Sequence, residues 1–180
     1  MPRITLVGYR GVGKSTIASV LAARLGCAWC DADAILEERL GTTIATLVRG
    51  RGEPAFRDAE TAVLRDLLDT GTGILATGGG VVLRAENRDL IRRRGRPVAW
   101  LTAPAEVIRA RLAADPLTGD RRPALAGDDP LAEVDPALAV REPLYREVAD
   151  ATFDTAAAEP EEVAARIAAW LDAVGHEGDR

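Results

Sequence analysis

The chain has 180 residues, 47% hydrophobic and 28% charged, with a formal net charge of −5. That length fits one domain over residues 1–180, and so apolar a composition excludes disorder. The acidic balance argues against a nucleic-acid or membrane partner, and no apolar run approaches the roughly 20 residues that cross a bilayer, so a cytoplasmic protein is expected.

Ile4-Thr5-Leu6-Val7 reads as a short buried strand running into a glycine-rich turn. Ile17, Val20, Leu21 and Leu25 then share one helical face, and Gly26 ends that helix. Ala28-Trp29-Cys30 is the second strand. Cys27 and Cys30 are spaced C-x-x-C, but a zinc site needs two more Cys or His ligands, and the single histidine, His176, lies in the polar tail. Two reduced, half-buried thiols are expected, in keeping with a reducing compartment.

A helical region runs from Ile35-Leu36 to Leu67-Leu68, broken near Gly50-Arg51-Gly52. Ile74-Leu75-Ala76 is a third strand, leading into Gly78-Gly79-Gly80. Leu90 and Ile91 mark a helix, Val98-Ala99-Trp100-Leu101 a fourth strand, and Val107, Ile108 and Leu112 another helix. Residues 115–130 are rich in Asp, Gly, Pro and Arg, and a polar loop of that length inside a compact domain reads as a lid. Leu138 to Val148 is helical and Ala151-Thr152-Phe153 is a fifth strand. The last helix carries Val163, Ile167, Trp170 and Leu171, and residues 175–180 should be frayed. Short buried strands alternating with helices predict a parallel sheet covered on both faces, an α/β fold.

Gly8-Tyr9-Arg10-Gly11-Val12-Gly13-Lys14-Ser15 satisfies G-x-x-x-x-G-K-S, with Thr16 next, after a strand and at the start of a helix. Glycines there let successive N–H groups turn inward onto phosphate oxygens, so Gly11, Val12, Gly13 and the helix start through Thr16 form the cradle. Lys14 reaches the β- and γ-phosphates and the Ser15 hydroxyl ligates Mg²⁺, which makes ATP or another nucleoside triphosphate the ligand. Lys14 is the only lysine among 23 basic residues; the rest are arginines, so this position calls for a compact ammonium rather than a planar fork. It also excludes the guanine-reading N-K-x-D motif. Asp31 and Asp33 follow strand two, where an open α/β sheet lines its ligand crevice. One carboxylate can serve Mg²⁺ through water and the other an acceptor hydroxyl, while either can cap the next helix.

With these stretches the sequence resembles the shikimate kinases. The resemblance is carried by Gly8 to Thr16, Trp29-Cys30-Asp31-Ala32-Asp33, Gly52 to Glu60, Ala76 to Val82, Arg121-Arg122-Pro123-Ala124-Leu125 and Arg141-Glu142-Pro143-Leu144-Tyr145, in the family's order over residues 4 to about 155. It implies a P-loop three-layer α/β/α fold of the nucleoside-monophosphate-kinase type, with a five-stranded parallel sheet, substrate-binding helices over about 31–61 and a mobile lid over about 115–130. It implies transfer of the γ-phosphoryl of ATP to the 3-hydroxyl of shikimate, giving 3-phosphoshikimate and ADP, with Mg²⁺. By resemblance, Arg57 and Arg141 clamp the substrate carboxylate, Gly79 lies against the substrate, and Asp33 orients the hydroxyls. Asp31 supports the Mg²⁺ shell, Arg122 swings from the lid onto the phosphates, and Arg111 stacks on adenine. Ala156-Ala157-Ala158 departs from members that carry an adenine-contacting arginine after strand five. The expected partners are shikimate and ATP, and the expected state is a monomer. A gluconate kinase on the same fold would leave the Arg57 and Arg141 pair without a purpose. A non-catalytic ATP-binding module would not need Lys14, Asp33 and Arg122 together.

Overall fold

The computed structural model describes residues 3–71, 73–114 and 131–177. The proposed lid with Arg122, and residues 178–180 of the tail, lie outside the described residues.

β1 (Ile4–Val7) is the central strand: Ile4, Thr5 and Leu6 pair with Ile74, Leu75 and Ala76 of β3 (Ile74–Ala76), and on the other side Thr5, Leu6 and Val7 pair with Val98, Ala99 and Trp100 of β4 (Val98–Thr102). With β2 (Trp29–Asp31) outside β3 and β5 (Ala151–Asp154) outside β4, the sheet has five strands in the order β2-β3-β1-β4-β5, every pair parallel. The expected α/β architecture is therefore present.

Strand alternation divides the core. Ile4, Leu6, Ile74, Ala76, Ala99 and Leu101 face one layer, packed against α1 (Lys14–Leu25), α5 (Ala105–Ala114) and α7 (Pro160–Glu177). Leu75, Val98 and Trp100 face the other, with α2 (Ala32–Leu40), α3 (Ile44–Thr70), α4 (Ala85–Arg94) and α6 (Val134–Val148).

The structure differs from the sequence-based expectation in four places. β2 lies one residue later than expected; it is an edge strand, and Trp29 is 38% exposed. The helical region after it is interrupted twice. Gly41 ends α2, and the Thr43 hydroxyl accepts from the Thr46 amide at 3.1 Å to cap α3; the expected break sits inside α3 at Gly52, where φ is 81°. Val81–Leu83 forms a 3₁₀ turn between β3 and α4 that no apolar period announces. Finally, α7 begins at Pro160, a favoured first helical residue, and continues to Glu177, so the fraying expected from residue 175 is not found at 175–177.

Candidate active site

The chain crosses from β3 to β4 on opposite sides of β1, and the crevice at the carboxyl ends of such strands is where an open α/β sheet binds ligands. Two clefts open there. The first is walled by the loop between β1 and α1, by Asp31, by Arg111 and by residues 155–160 after β5. The second lies beside it among Asp33, Arg57, Glu60, the glycine turn at 78–80 and Arg141.

In the first cleft Gly8, Gly11 and Gly13 all take positive φ, the conformation that turns backbone N–H groups inward without steric cost. Lys14 is 8% exposed, and its ammonium donates to the carbonyls of Gly8 at 2.8 Å and Tyr9 at 2.9 Å, drawing the loop around itself. The Ser15 hydroxyl donates to Asp31 Oδ2. The other Asp31 oxygen accepts from the amides of Asp33 at 2.9 Å and Ala34 at 3.3 Å. Asp31 therefore caps α2 and meets Ser15 at once, so the capping reading of this carboxylate holds. Arg111 donates to Thr155 Oγ1 at 3.0 Å, to the Thr155 carbonyl at 2.5 Å and to the Gly11 carbonyl at 3.4 Å. It ties the end of β5 to the loop and lines the cleft together with Ala156–Ala158.

The second cleft is denser in charge. Arg57, on α3, is buried against its neighbours: Nε and Nη2 donate to Glu53 Oε1 at 3.1 and 3.0 Å, and Nη1 donates to Glu60 Oε2 at 2.9 Å. Three of the five guanidinium N–H groups are used, which leaves two without a partner among the described residues. The guanidinium also lies 4.7 Å from the centroid of the Phe56 ring. Burial pushes the Glu60 carboxyl above its ordinary range; Arg57 and Arg141 pull it down, and Asp33 pushes it further up. Its Oε1 is buried without a hydrogen-bond partner.

Close approach explains the glycine turn. A Cβ on Gly78 would stand 2.6 Å from Asp33 Oδ1 and 3.0 Å from Glu60 Oε1, and one on Gly80 would stand 2.7 Å from Arg57 Nη2. The turn is fixed by the Val81 amide donating to the Gly78 carbonyl at 3.2 Å and the Leu83 amide to the Gly80 carbonyl at 3.0 Å. From α6, Arg141 Nη1 donates to the Gly79 carbonyl at 3.4 Å, and the buried Tyr145 hydroxyl donates to the same oxygen. Burial raises the Tyr145 hydroxyl above its ordinary value, so it stays protonated and able to donate.

The structure thus gathers Asp33, Arg57, Gly79 and Arg141 in one cleft, and Gly11 to Thr16, Asp31 and Arg111 in the other. Glu53 and Glu60 were missed as partners of Arg57, although their spacing at i−4 and i+3 on one helix signals them. Tyr145 was missed too, and nothing local signals a contact made with Gly79.

Known proteins resemble this chain in sequence and in fold. The sequence model of the shikimate kinase family matches residues 10–172. A shikimate kinase of Nitratidesulfovibrio vulgaris is 49% identical over 147 residues, covering 82% of this chain and 83% of that protein. One of Oleidesulfovibrio alaskensis is 42% identical over 154 residues, covering 86% and 88%. Among solved structures, shikimate kinase from Acinetobacter baumannii in complex with shikimate superposes with a TM-score of 0.88 at 36% identity, covering 96% of this chain and 94% of that one. This chain belongs to the shikimate kinase family.

Proposed function

We propose that the protein transfers the γ-phosphoryl of ATP to the 3-hydroxyl of shikimate. The observation that carries this reading is the second cleft: two arginines, a buried aspartate and a glycine turn converge beside a phosphate cradle. Shikimate has one carboxylate and three hydroxyls. Arg57, braced by Glu53 and Glu60, presents its remaining N–H groups to the carboxylate, and Arg141 closes on it from α6. Asp33 holds the reacting hydroxyl. That oxygen bonds to the γ-phosphorus, the bond from this phosphorus to the β–γ bridging oxygen breaks with its electron pair left on ADP, and the hydroxyl proton passes to Asp33.

The donor set also fits Mg²⁺. The Ser15 hydroxyl and Asp31 carboxylate put two hard oxygens in contact at the cradle's rim. Among the described residues no cluster of three or more His, Cys, Asp or Glu forms a metal centre of its own, and Mg²⁺ in such sites takes one or two protein oxygens with phosphates and water. Bound by Ser15 and, through water, Asp31, it would neutralise phosphate charge. Arg111, held at Thr155, offers a planar face to adenine in the cleft it lines with the small side chains of Ala156–Ala158. One domain, a monomer and a cytoplasmic location complete the proposal. One continuous sheet, a site drawn from a single chain, and two cysteines, Cys27 and Cys30, outside any disulfide support them in turn. No helix among the described residues is long and apolar enough to cross a membrane.

A coupled assay of ADP release, run with shikimate, gluconate and nucleoside monophosphates side by side, tests the substrate. Turnover should be confined to shikimate, and preference for either competitor would refute the assignment. Within that assay Arg57→Ala should raise the shikimate KM by roughly 10- to 150-fold, the value of a charge-assisted hydrogen bond, and leave the ATP KM nearly unchanged. Damage to ATP binding with shikimate spared would put the acid pocket elsewhere.

A further inference from the structure

We propose that Arg10 is a catalytic residue, the cation that contacts the phosphoryl group as it passes between the two clefts. This rests on reading those clefts as the donor and acceptor sites. Among the described residues Arg10 is the one residue that lines both. Lys14 belongs to the first cleft alone, and Arg57 and Arg141 to the second alone. A phosphoryl group leaving the cradle for a hydroxyl held at Asp33 passes from one cleft to the other, and Arg10 borders both.

The side chain is held there from two sides. Its guanidinium stands 5.7 Å from the centroid of the Tyr9 ring, whose other cationic neighbour is Arg141 at 5.1 Å. Its Nη2 is 3.5 Å from Glu133 Oε2, at the start of α6. The side chain is 12% exposed, so its charge acts in a poorly screened environment. An ion pair of 3.5 Å is longer than the roughly 2.7–2.9 Å of a tight charge-assisted hydrogen bond, so Glu133 steers the guanidinium through charge rather than through a tight bond.

The chemistry of the step gives such a cation its use. In a loose phosphoryl-transfer transition state the charge lies on three equatorial oxygens while the old bond to the bridging oxygen breaks and the new bond to the hydroxyl oxygen forms. Lys14 sits on the donor side of that event and the clamp arginines hold the far end of the acceptor. Arg10 gains and loses no bond or proton; it donates hydrogen bonds to the equatorial oxygens when they are furthest from both sets of fixed ligands. Its interaction is therefore stronger in the transition state than with either substrate, the condition for raising kcat.

Arg10→Ala and Arg10→Lys, measured with each substrate varied in turn, test this. Arg10→Ala should lower kcat by on the order of 10²- to 10³-fold, as loss of one preorganised donor does, with both KM values within about threefold of wild type. Arg10→Lys should recover part of kcat. A second readout is calorimetric binding of aluminium fluoride with ADP, Mg²⁺ and shikimate. Wild type should assemble this mimic of the transferring phosphoryl, and Arg10→Ala should bind it far more weakly while binding ADP alone and shikimate alone as wild type does. Wild-type kcat in Arg10→Ala would overturn the proposal. So would an effect confined to the shikimate KM, which would make Arg10 a third arm of the clamp. If wild type itself failed to turn over shikimate, the substrate assignment would fall, and the same variants would be judged with the acceptor that wild type does phosphorylate.

Discussion

Lys14→Ala should lower kcat by on the order of 10²- to 10³-fold at least, the largest loss expected of any single substitution in the first cleft. The ammonium is nearly buried and is already anchored by the Gly8 and Tyr9 carbonyls at 2.8 and 2.9 Å, inside the curve of the loop where the proposed function puts the β- and γ-phosphates. Alanine removes the charge that meets them and the two bonds that hold the loop's shape. Lys14→Arg separates these effects. Arginine keeps the charge, but a planar fork cannot place one compact donor between two carbonyls in so tight a space, and it should lose nearly as much turnover as alanine. Melting curves should show both variants folded, because β1 and α1 are held by apolar packing on Leu6, Ile17 and Leu21 rather than by the loop. Were Lys14→Arg to retain most of its turnover, charge alone would suffice, and a chain that uses arginine at every other basic position would have no chemical reason for this one exception.

How much of this was legible in the sequence depends on how local each signal is. β1, β3 and β4 declare themselves because a strand buried on both faces reads as a nearly unbroken apolar run. β2 slips by one because it lies at the sheet edge, where exposed Trp29 blurs the pattern. The cradle is legible because eight consecutive residues carry it. The clamp was reached only by resemblance. Arg57 with Glu60 has the same i, i+3 type of spacing as the exposed pair of Arg92 with Asp89, and only burial tells a braced site residue from a solvated one. Tyr145 reaches back 66 residues to Gly79, a contact no period or short motif encodes. Arg10 fills a position where the G-x-x-x-x-G-K-S pattern asks for no particular side chain, so its place between the clefts emerges only once they are seen together.

Asp33→Asn should divide binding from chemistry in the second cleft. The carboxylate is 8% exposed, and its Oδ1 lies so close to the backbone of Gly78 that the glycine could not carry even a methyl group. Asparagine has almost the same volume, so the wall formed with Gly78 and Glu60 should survive and the variant should fold. What disappears is the negative charge that draws the hydroxyl proton and aims the oxygen at the γ-phosphorus. General-base catalysis contributes about 10²- to 10⁴-fold, and kcat should fall within that range. The shikimate KM should move far less, because on the proposed reading Arg57 and Arg141 hold the carboxylate end, and asparagine does not touch them. Arg57→Ala should give the opposite pattern, with affinity lost and turnover at saturation mostly kept. The two variants, assayed with each substrate varied in turn, therefore have to fail in different ways. If Asp33→Asn instead raised the shikimate KM and left kcat alone, Asp33 would be one more hydrogen bond to the ground state. The proton would then have to leave through the phosphoryl oxygens or solvent, and the loose transition state would need only positioning from this cleft.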